Sequence, residues 1–204
     1  MDSELLDRLE IRQLIDNWVL WRDSGFLERF RTVWHPEGRM LATWTQGTGD
    51  EFIEMNKKAW ENDVIILHAQ GAHFSDISGD RAIAQTKMHI NQRGEVEGVL
   101  VDVTCVGRFY DFLEKREGKW GFCLRQPIYE RDFMIPVTLG EAPKIDQALL
   151  ESFPEGYRHL AYLQSKAGFP VKKNMPGLRD ERVQQLYAAG QAWLEGKPLA
   201  WGHD

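Results

Sequence analysis

The order of two periodicities along the chain constrains its fold most. Up to about residue 60 the apolar residues recur at helical spacing. Leu6, Leu9, Ile11, Leu14, Ile15, Trp18 and Val19 mark a helix over about residues 3–22, broken by Ser24-Gly25. A shorter helix carries Phe26, Phe30, Val33 and Trp34 on one side. It is expected to end at His35-Pro36, because the residue before a proline is pushed out of the helical region. Residues 39–45 read as a short strand, Gly47-Thr48-Gly49 as a turn, and Asp50 as the cap of a third helix bearing Phe52, Ile53, Met55, Asn56 and Trp60. From Val64 onward the pattern alternates. Strands are predicted over residues 64–76, 81–92, 99–114 and 120–133, with turns at Ser78-Gly79-Asp80, Gln92-Arg93-Gly94 and 115–119. Ala82, Ala84, Thr86, Met88 and Ile90 share one strand face, as do Val99, Val101, Val103, Cys105 and Phe109. Helices first and strands afterwards imply an α+β fold, with helices packed on one face of an antiparallel sheet.

A chain of 204 residues suits one domain, or one domain with an appendage. After Pro136 the pattern breaks into short helical pieces, clearest at 157–164 and 180–193, punctuated by Pro143, Pro154, Pro170, Pro176 and Pro198. This stretch has too little apolar surface for its own core. The expected organisation is a domain over 1–136 and an extension over 137–204 that packs on that domain or on a neighbouring subunit. The net charge of −6 argues against a nucleic-acid or anionic-membrane surface. No apolar run approaches the ~20 residues needed to span a bilayer. The acidic first ten residues lack a signal-peptide layout, so a cytoplasmic protein is expected.

Cys105 and Cys123 sit in neither a CxxC pattern nor zinc spacing, and read as core thiols. One sheet face would not present His68, His73 and His89 together, so no metal is expected. No GxGxxG, P-loop or GxSxG pattern occurs, which leaves nucleotide cofactors and serine hydrolysis without support; the expected cofactor is none. Eight Trp residues offer flat apolar surface suited to an aromatic ligand, although most Trp residues fill cores.

Three helices, a strand and then a curved sheet is an order that resembles the nuclear transport factor 2-like superfamily. Trp18-Val19-Leu20-Trp21-Arg22-Asp23-Ser24 is similar to the scytalone dehydratase segment in which a Trp precedes a Tyr-Asp pair. Leu67-His68-Ala69-Gln70-Gly71, followed by Ser78-Gly79-Asp80-Arg81-Ala82, resembles the His, short strand, Gly-Asp-x-Ala stretch of the SnoaL-like group. Gly118-Lys119-Trp120-Gly121-Phe122-Cys123-Leu124-Arg125 resembles its closing Gly-x-Trp-x-Phe strand, where an Arg often follows the Trp by five residues. The resemblance spans about residues 5 to 135. It implies a cone-shaped curved antiparallel sheet wrapped by N-terminal helices, here with a mostly helical C-terminal extension.

Members with known chemistry, among them scytalone dehydratase, hexachlorocyclohexane dehydrochlorinase and bile-acid dehydratase, use an Asp-His pair, often with an Arg, inside the cone. The resemblance therefore implies catalytic roles for Asp23, His68 and Arg125. This chain departs from scytalone dehydratase at three places. Arg22 replaces the Tyr beside the Asp. The second catalytic His falls near Gln92, with His89 on the wrong strand parity. Arg108 falls near an Asn of the long strand. The implied pocket is more cationic. Members commonly form trimers or dimers through the outer face of the sheet, so a homotrimer or homodimer is implied.

Read as chemistry, His68 is the best base: a neutral imidazole accepts a proton near physiological pH. Asp23 would hold its tautomer and stabilise the imidazolium. Arg125 either supports a developing enolate, phenolate or leaving oxygen, or forms an ion pair with a buried carboxylate. Trp21 and Trp44 are the expected ligand contacts, and Arg22, Met88, Arg108 and Tyr129 complete the substrate-binding set. His73, five residues after His68, would face away on an unbroken strand. These residues point to a cofactor-independent lyase acting by dehydration, related elimination or C–C cleavage. Its substrate would be a hydrophobic, aromatic small molecule such as a phenolic diol or lignin-derived diaryl. The alternatives are a non-catalytic ligand-binding or interaction module, and an isomerase or cyclase using the same pocket.

Overall fold

A helix of 21 residues opens the chain in the computed structural model, which describes residues 3–202. This helix, α1 (Ser3–Asp23), stops because Gly25 takes a left-handed conformation (φ 72°) and the Phe26 N–H turns back to the Trp21 carbonyl. Then come α2 (Leu27–Arg31), β1 (Trp34–Leu41), β2 (Gln46–Thr48), α3 (Gly49–Glu61), β3 (Ile66–Ser78), β4 (Arg81–Val96), β5 (Val99–Arg116) and β6 (Lys119–Pro136). The sheet order is β2-β1-β6-β5-β4-β3, antiparallel except where β1 runs parallel to β6. The fold is α+β, as the two periodicities imply.

Four local expectations need correction. His35-Pro36 does not end a helix; it lies inside β1, where the pairing with β6 is irregular between Trp34 and Arg39 and so tolerates a proline. Gly47 and Thr48 belong to β2 rather than to a turn. The cap of α3 is Thr48, whose hydroxyl accepts from the Glu51 N–H at 3.2 Å while the Glu51 carboxylate accepts from the Thr48 N–H at 2.8 Å. Asp50 instead pairs with Arg31. Finally, β4 runs through Gln92-Arg93-Gly94 and turns at Glu97-Gly98, both at positive φ, as two-residue hairpins require. Gly94 marks a close approach: a Cβ there would lie 2.9 Å from Leu163 of the extension.

After β6 the chain covers both faces of the sheet. Alternation on β5 sends Phe109 to one face and Tyr110 and Phe112 to the other. On the first face, α4 (Gln147–Glu151), a 3-10 turn (Glu155–Tyr157) and α5 (Arg158–Lys166) add Leu150, Phe153, Tyr157, Leu160 and Leu163 to the core around Trp18, Phe30 and Phe52. Asp132 on β6 anchors α5, accepting from the Leu160 N–H at 2.8 Å and from His159 Nδ1 at 2.8 Å. On the second face, α6 (Glu181–Leu194) lays Val183, Leu186 and Trp193 onto Ile83, Tyr110 and Phe112, each such burial contributing about 1.5–3 kcal/mol. Cys105 and Cys123 are free and buried. No helix among the described residues is long and apolar enough to cross a membrane.

Candidate active site

Asp23 is the last residue of α1, and His68 is the third residue of β3 on the face turned toward that helix. The two meet. His68 Nδ1 lies 2.9 Å from Asp23 Oδ1, and the His68 backbone N–H donates to Asp23 Oδ2 at 2.6 Å. Arg22 Nη1 donates to Asp23 Oδ1 at 2.8 Å and to the Ile66 carbonyl at 2.6 Å. A carboxylate can only accept, so Nδ1 carries the imidazole proton and Nε2 holds a lone pair. Among the described residues Nε2 has no hydrogen-bond partner. The ring edge of Trp18, 5.3 Å away by centroids, and Phe109 hold the imidazole plane.

Burial pushes the His68 pKa down to about 4, and the nearby Arg22 charge pushes the same way, outweighing Asp23. Burial acts to raise the Asp23 carboxyl. The hydrogen bond from His68 and the Arg22 charge overcome it, and the net displacement is downward. At neutral pH the site therefore holds an ionised carboxylate and a neutral imidazole.

His68 lines a small internal chamber of about 30 Å³, together with Arg22, Thr43, Trp44, Gln92, Tyr129 and Gln164. Next to it lies an open vestibule of about 300 Å³, walled by Trp44, Met55, Ala59, Val64, Phe169 and others. Trp44, Ile66, Gln92 and Gln164 belong to both walls and form the waist between them. Gln164 bridges this waist: Thr43 Oγ1 donates to its Oε1 at 2.7 Å, and its Nε2 donates to Gln92 Oε1 at 3.1 Å. All three side chains are buried.

The predicted residues divide. Arg22, Trp44 and Tyr129 line the chamber beside His68. Arg125 lies on the same face but is committed elsewhere. It makes two 2.8 Å bonds to Asp111, both side chains fully buried, and its guanidinium sits 4.4, 4.3 and 4.5 Å from the ring centroids of Trp18, Phe109 and Phe122. Arg125 does not line the chamber; its Nε and Nη2 are held by Asp111, while its buried Nη1 has no hydrogen-bond partner among the described residues. Arg108 is also displaced: strand alternation puts it opposite Phe109, paired with Glu130 at 3.1 Å. Met88 is a core residue packed near Gly107, and Trp21 packs half-buried against the helical side of the core. His73 corrects the parity argument. A bulge between Gln70 and His73 returns it to the face of His68, where it meets Thr86 Oγ1 at 2.8 Å.

Sequence reasoning missed Thr43 and Gln164. Gln164 carried one usable signal, a polar residue continuing the apolar run Leu160-Ala161-Tyr162-Leu163 of a short helix.

An open curved sheet packed against N-terminal helices is the nuclear transport factor 2-like cone fold. The SnoaL-like domain model matches residues 3–126, and the chain belongs to that family. It is 36% identical to pea pathogenicity protein 2 of Fusarium vanettenii, over 97% of this chain and 90% of that protein. An uncharacterized protein of Emericella nidulans is 35% identical over the same shares. Among solved structures, a type 2 hexachlorocyclohexane dehydrochlorinase superposes with a TM-score of 0.56 at 11% identity, over 70% of this chain and 97% of that one. A putative scytalone dehydratase from Novosphingobium aromaticivorans gives 0.53 at 16% identity, over 71% and 97%. At such identities these structures share the fold.

Proposed function

We propose that this chain is a cofactor-independent lyase with His68 as base and Asp23 as its orienting carboxylate. The observation that carries the reading is the 2.9 Å contact that leaves His68 Nε2 unpaired in the wall of a chamber. In the reaction, Nε2 takes a proton from a carbon of the substrate. The C–H electrons form the new double bond, the adjacent C–O bond breaks, and the leaving oxygen recovers the proton from His68 and departs as water. A base whose pKa is depressed to about 4 is available at neutral pH but weak, so the reaction requires an activated C–H, one next to a carbonyl or in a phenolic benzylic system. In a phenolic substrate with a benzylic hydroxyl, loss of the phenolic proton and departure of that hydroxyl as water would give a quinone methide. Removal of the proton from a neighbouring CH2OH group would then form the C=O of formaldehyde, break the C–C bond into a new C=C and return the electrons to the ring as a phenolate, which takes up the proton.

The chamber holds one small group, so the body of the substrate belongs in the vestibule against Trp44 and Phe169, whose rings lie 5.8 Å apart. That supports a hydrophobic aromatic substrate, a phenolic diol or lignin-derived diaryl. Binding without turnover is the second reading, favoured by the small size of the closed chamber. On the same proposal residues 1–136 form the domain and 137–204 its extension (1, 2, 203 and 204 lie outside the described residues). The protein is placed in the cytoplasm as a homodimer or homotrimer, joined through the outer sheet face where Leu100, Phe133 and Ile135 are exposed.

The test is incubation with a panel of aromatic diols, with products read by mass spectrometry. A lyase yields a product lighter by water, or by water and formaldehyde together. Unchanged mass with altered retention indicates an isomerase or cyclase, and equal turnover by His68→Ala removes the base assignment.

A further inference from the structure

The bridge at the waist does more than close the chamber. Ile66 pairs with Gln92 and His68 with Ile90, so Gln92 sits diagonally from His68, one pleat nearer the vestibule. Gln92 is one of the four residues that line both the vestibule and the chamber of His68. The carbonyl of its amide is already used, accepting from Gln164 Nε2 at 3.1 Å. Gln164 in turn is fixed because its own carbonyl accepts from Thr43 Oγ1 at 2.7 Å. Gln92 Nε2 forms no hydrogen bond among the described residues, and both the chamber and the vestibule touch this side chain. A buried amide with free donors is costly unless something accepts from them.

We infer that Gln92 is a substrate-binding residue that donates to an oxygen on the substrate, and that Gln164 from the C-terminal extension is the positioning residue that turns the Gln92 NH2 group toward it. The inference rests on the lyase reading for its chemistry and names the substrate class within it. The carbon next to the one deprotonated by His68 bears a hydroxyl or carbonyl oxygen, not a halogen. A halide or hydrocarbon would leave the Gln92 donors desolvated and unpaired, and a site built this way rejects such analogues. The family model ends at residue 126 while Gln164 lies on α5, so the oxygen preference is supplied from outside the matched domain.

The experiment is isothermal titration calorimetry of the full chain with two small bicyclic probes, 1-indanone and indane. They share a ring system and differ in one carbonyl. Wild type should bind 1-indanone about tenfold more tightly than indane. Gln92→Leu should bring the ratio close to one. Gln164→Leu should lower the ratio too, while indane binding stays near the wild-type level; a merely structural role would weaken both probes together. Circular dichroism and Tm check that each variant is folded, and Gln164→Asn, which keeps an amide on a shorter stem, serves as the second variant if Gln164→Leu is not. Equal binding of the two probes by wild type overturns the inference, and an undiminished ratio in folded Gln164→Leu or Gln164→Asn overturns the positioning role. Binding requires no turnover, so an inactive lyase assay leaves this result standing, and a missing preference leaves the His68 assignment untouched.

Discussion

Two Asp-His pairs in this molecule are built almost alike. In one, Asp23 Oδ1 meets His68 Nδ1 at 2.9 Å and its Oδ2 accepts the His68 backbone N–H. In the other, Asp132 Oδ1 meets His159 Nδ1 at 2.8 Å and its Oδ2 accepts the backbone N–H of Leu160, one residue later. They differ in what surrounds the imidazole. The His68 side chain is 5% exposed, lines the chamber, and shares its carboxylate with Arg22. The His159 side chain is 28% exposed, lines none of the cavities described above, and its carboxylate anchors α5. The pair geometry alone does not mark a site; the surface that the remaining nitrogen faces does. The Arg125–Asp111 pair makes the same point from the other side: it is fully buried, ringed by three aromatic side chains, and lines neither the chamber nor the vestibule.

The strongest way to break the comparison is to remove each imidazole. His68→Ala should cost about 10²–10⁴-fold in turnover of a confirmed substrate, the usual contribution of a general base. His159→Ala should leave turnover within a few-fold and lower stability by about 1 kcal/mol, one hydrogen bond's worth. Equal losses of activity in steady-state assays would erase the distinction.

Next in size is the fully buried pair. Arg125→Ala leaves Asp111 buried without its partner and should destabilise by about 3–5 kcal/mol in urea unfolding. Arg125→Met with Asp111→Leu should recover much of that loss. If the double variant were folded yet inactive, Arg125 would regain a direct role in the chemistry.

Acid should then test the buried imidazole of His68. The folded-state pKa of His68 is depressed to about 4 from 6.5, so between those values the unfolded chain binds more protons than the folded one. Stability from this residue is present above 6.5 and is lost as pH falls through 4, about 3 kcal/mol in all. His68→Phe should reduce the slope of the stability-against-pH curve in that window, and His73, depressed to about 4 chiefly by burial, should keep the remainder. For the same reason kcat/KM of the wild type should hold level through neutral pH and fall only near 4. A limb near 6.5 would contradict the neutral, desolvated imidazole.

The smallest effect tests Arg22. Because its charge helps depress His68, Arg22→Met should move the acid limb upward toward 6.5 while the Asp23 contact persists. A pH profile superimposable on wild type would assign the depression to burial alone.

That Asp23 and His68 meet was legible because the family resemblance aligns both, each beside a strong local signal, a helix end and the start of an apolar strand. The position of Arg108 was not, because the resemblance places residues along a strand without fixing which side each faces; Met88 faces the side of His68, as its alternation with Ile90 implies, but is packed in the core instead of lining the chamber. His73 shows the cost most directly: one bulge at residues 70–73 reverses a parity argument that is otherwise sound. Gln92-Arg93-Gly94 read as a turn because a glycine that admits Leu163 and a glycine that reverses the chain look alike in one dimension.

The sequence by itself determined the helix-then-strand order and the α+β class. Those properties follow from local periodicity and from propensities acting over a few residues. Tertiary structure decided that Arg125 is consumed by Asp111, that α5 brings Gln164 against Gln92, and that one Asp-His pair opens on a chamber while its double holds a helix. Each of these depends on contacts between residues from 14 to 121 positions apart, which cross-strand register and packing set and no local pattern encodes.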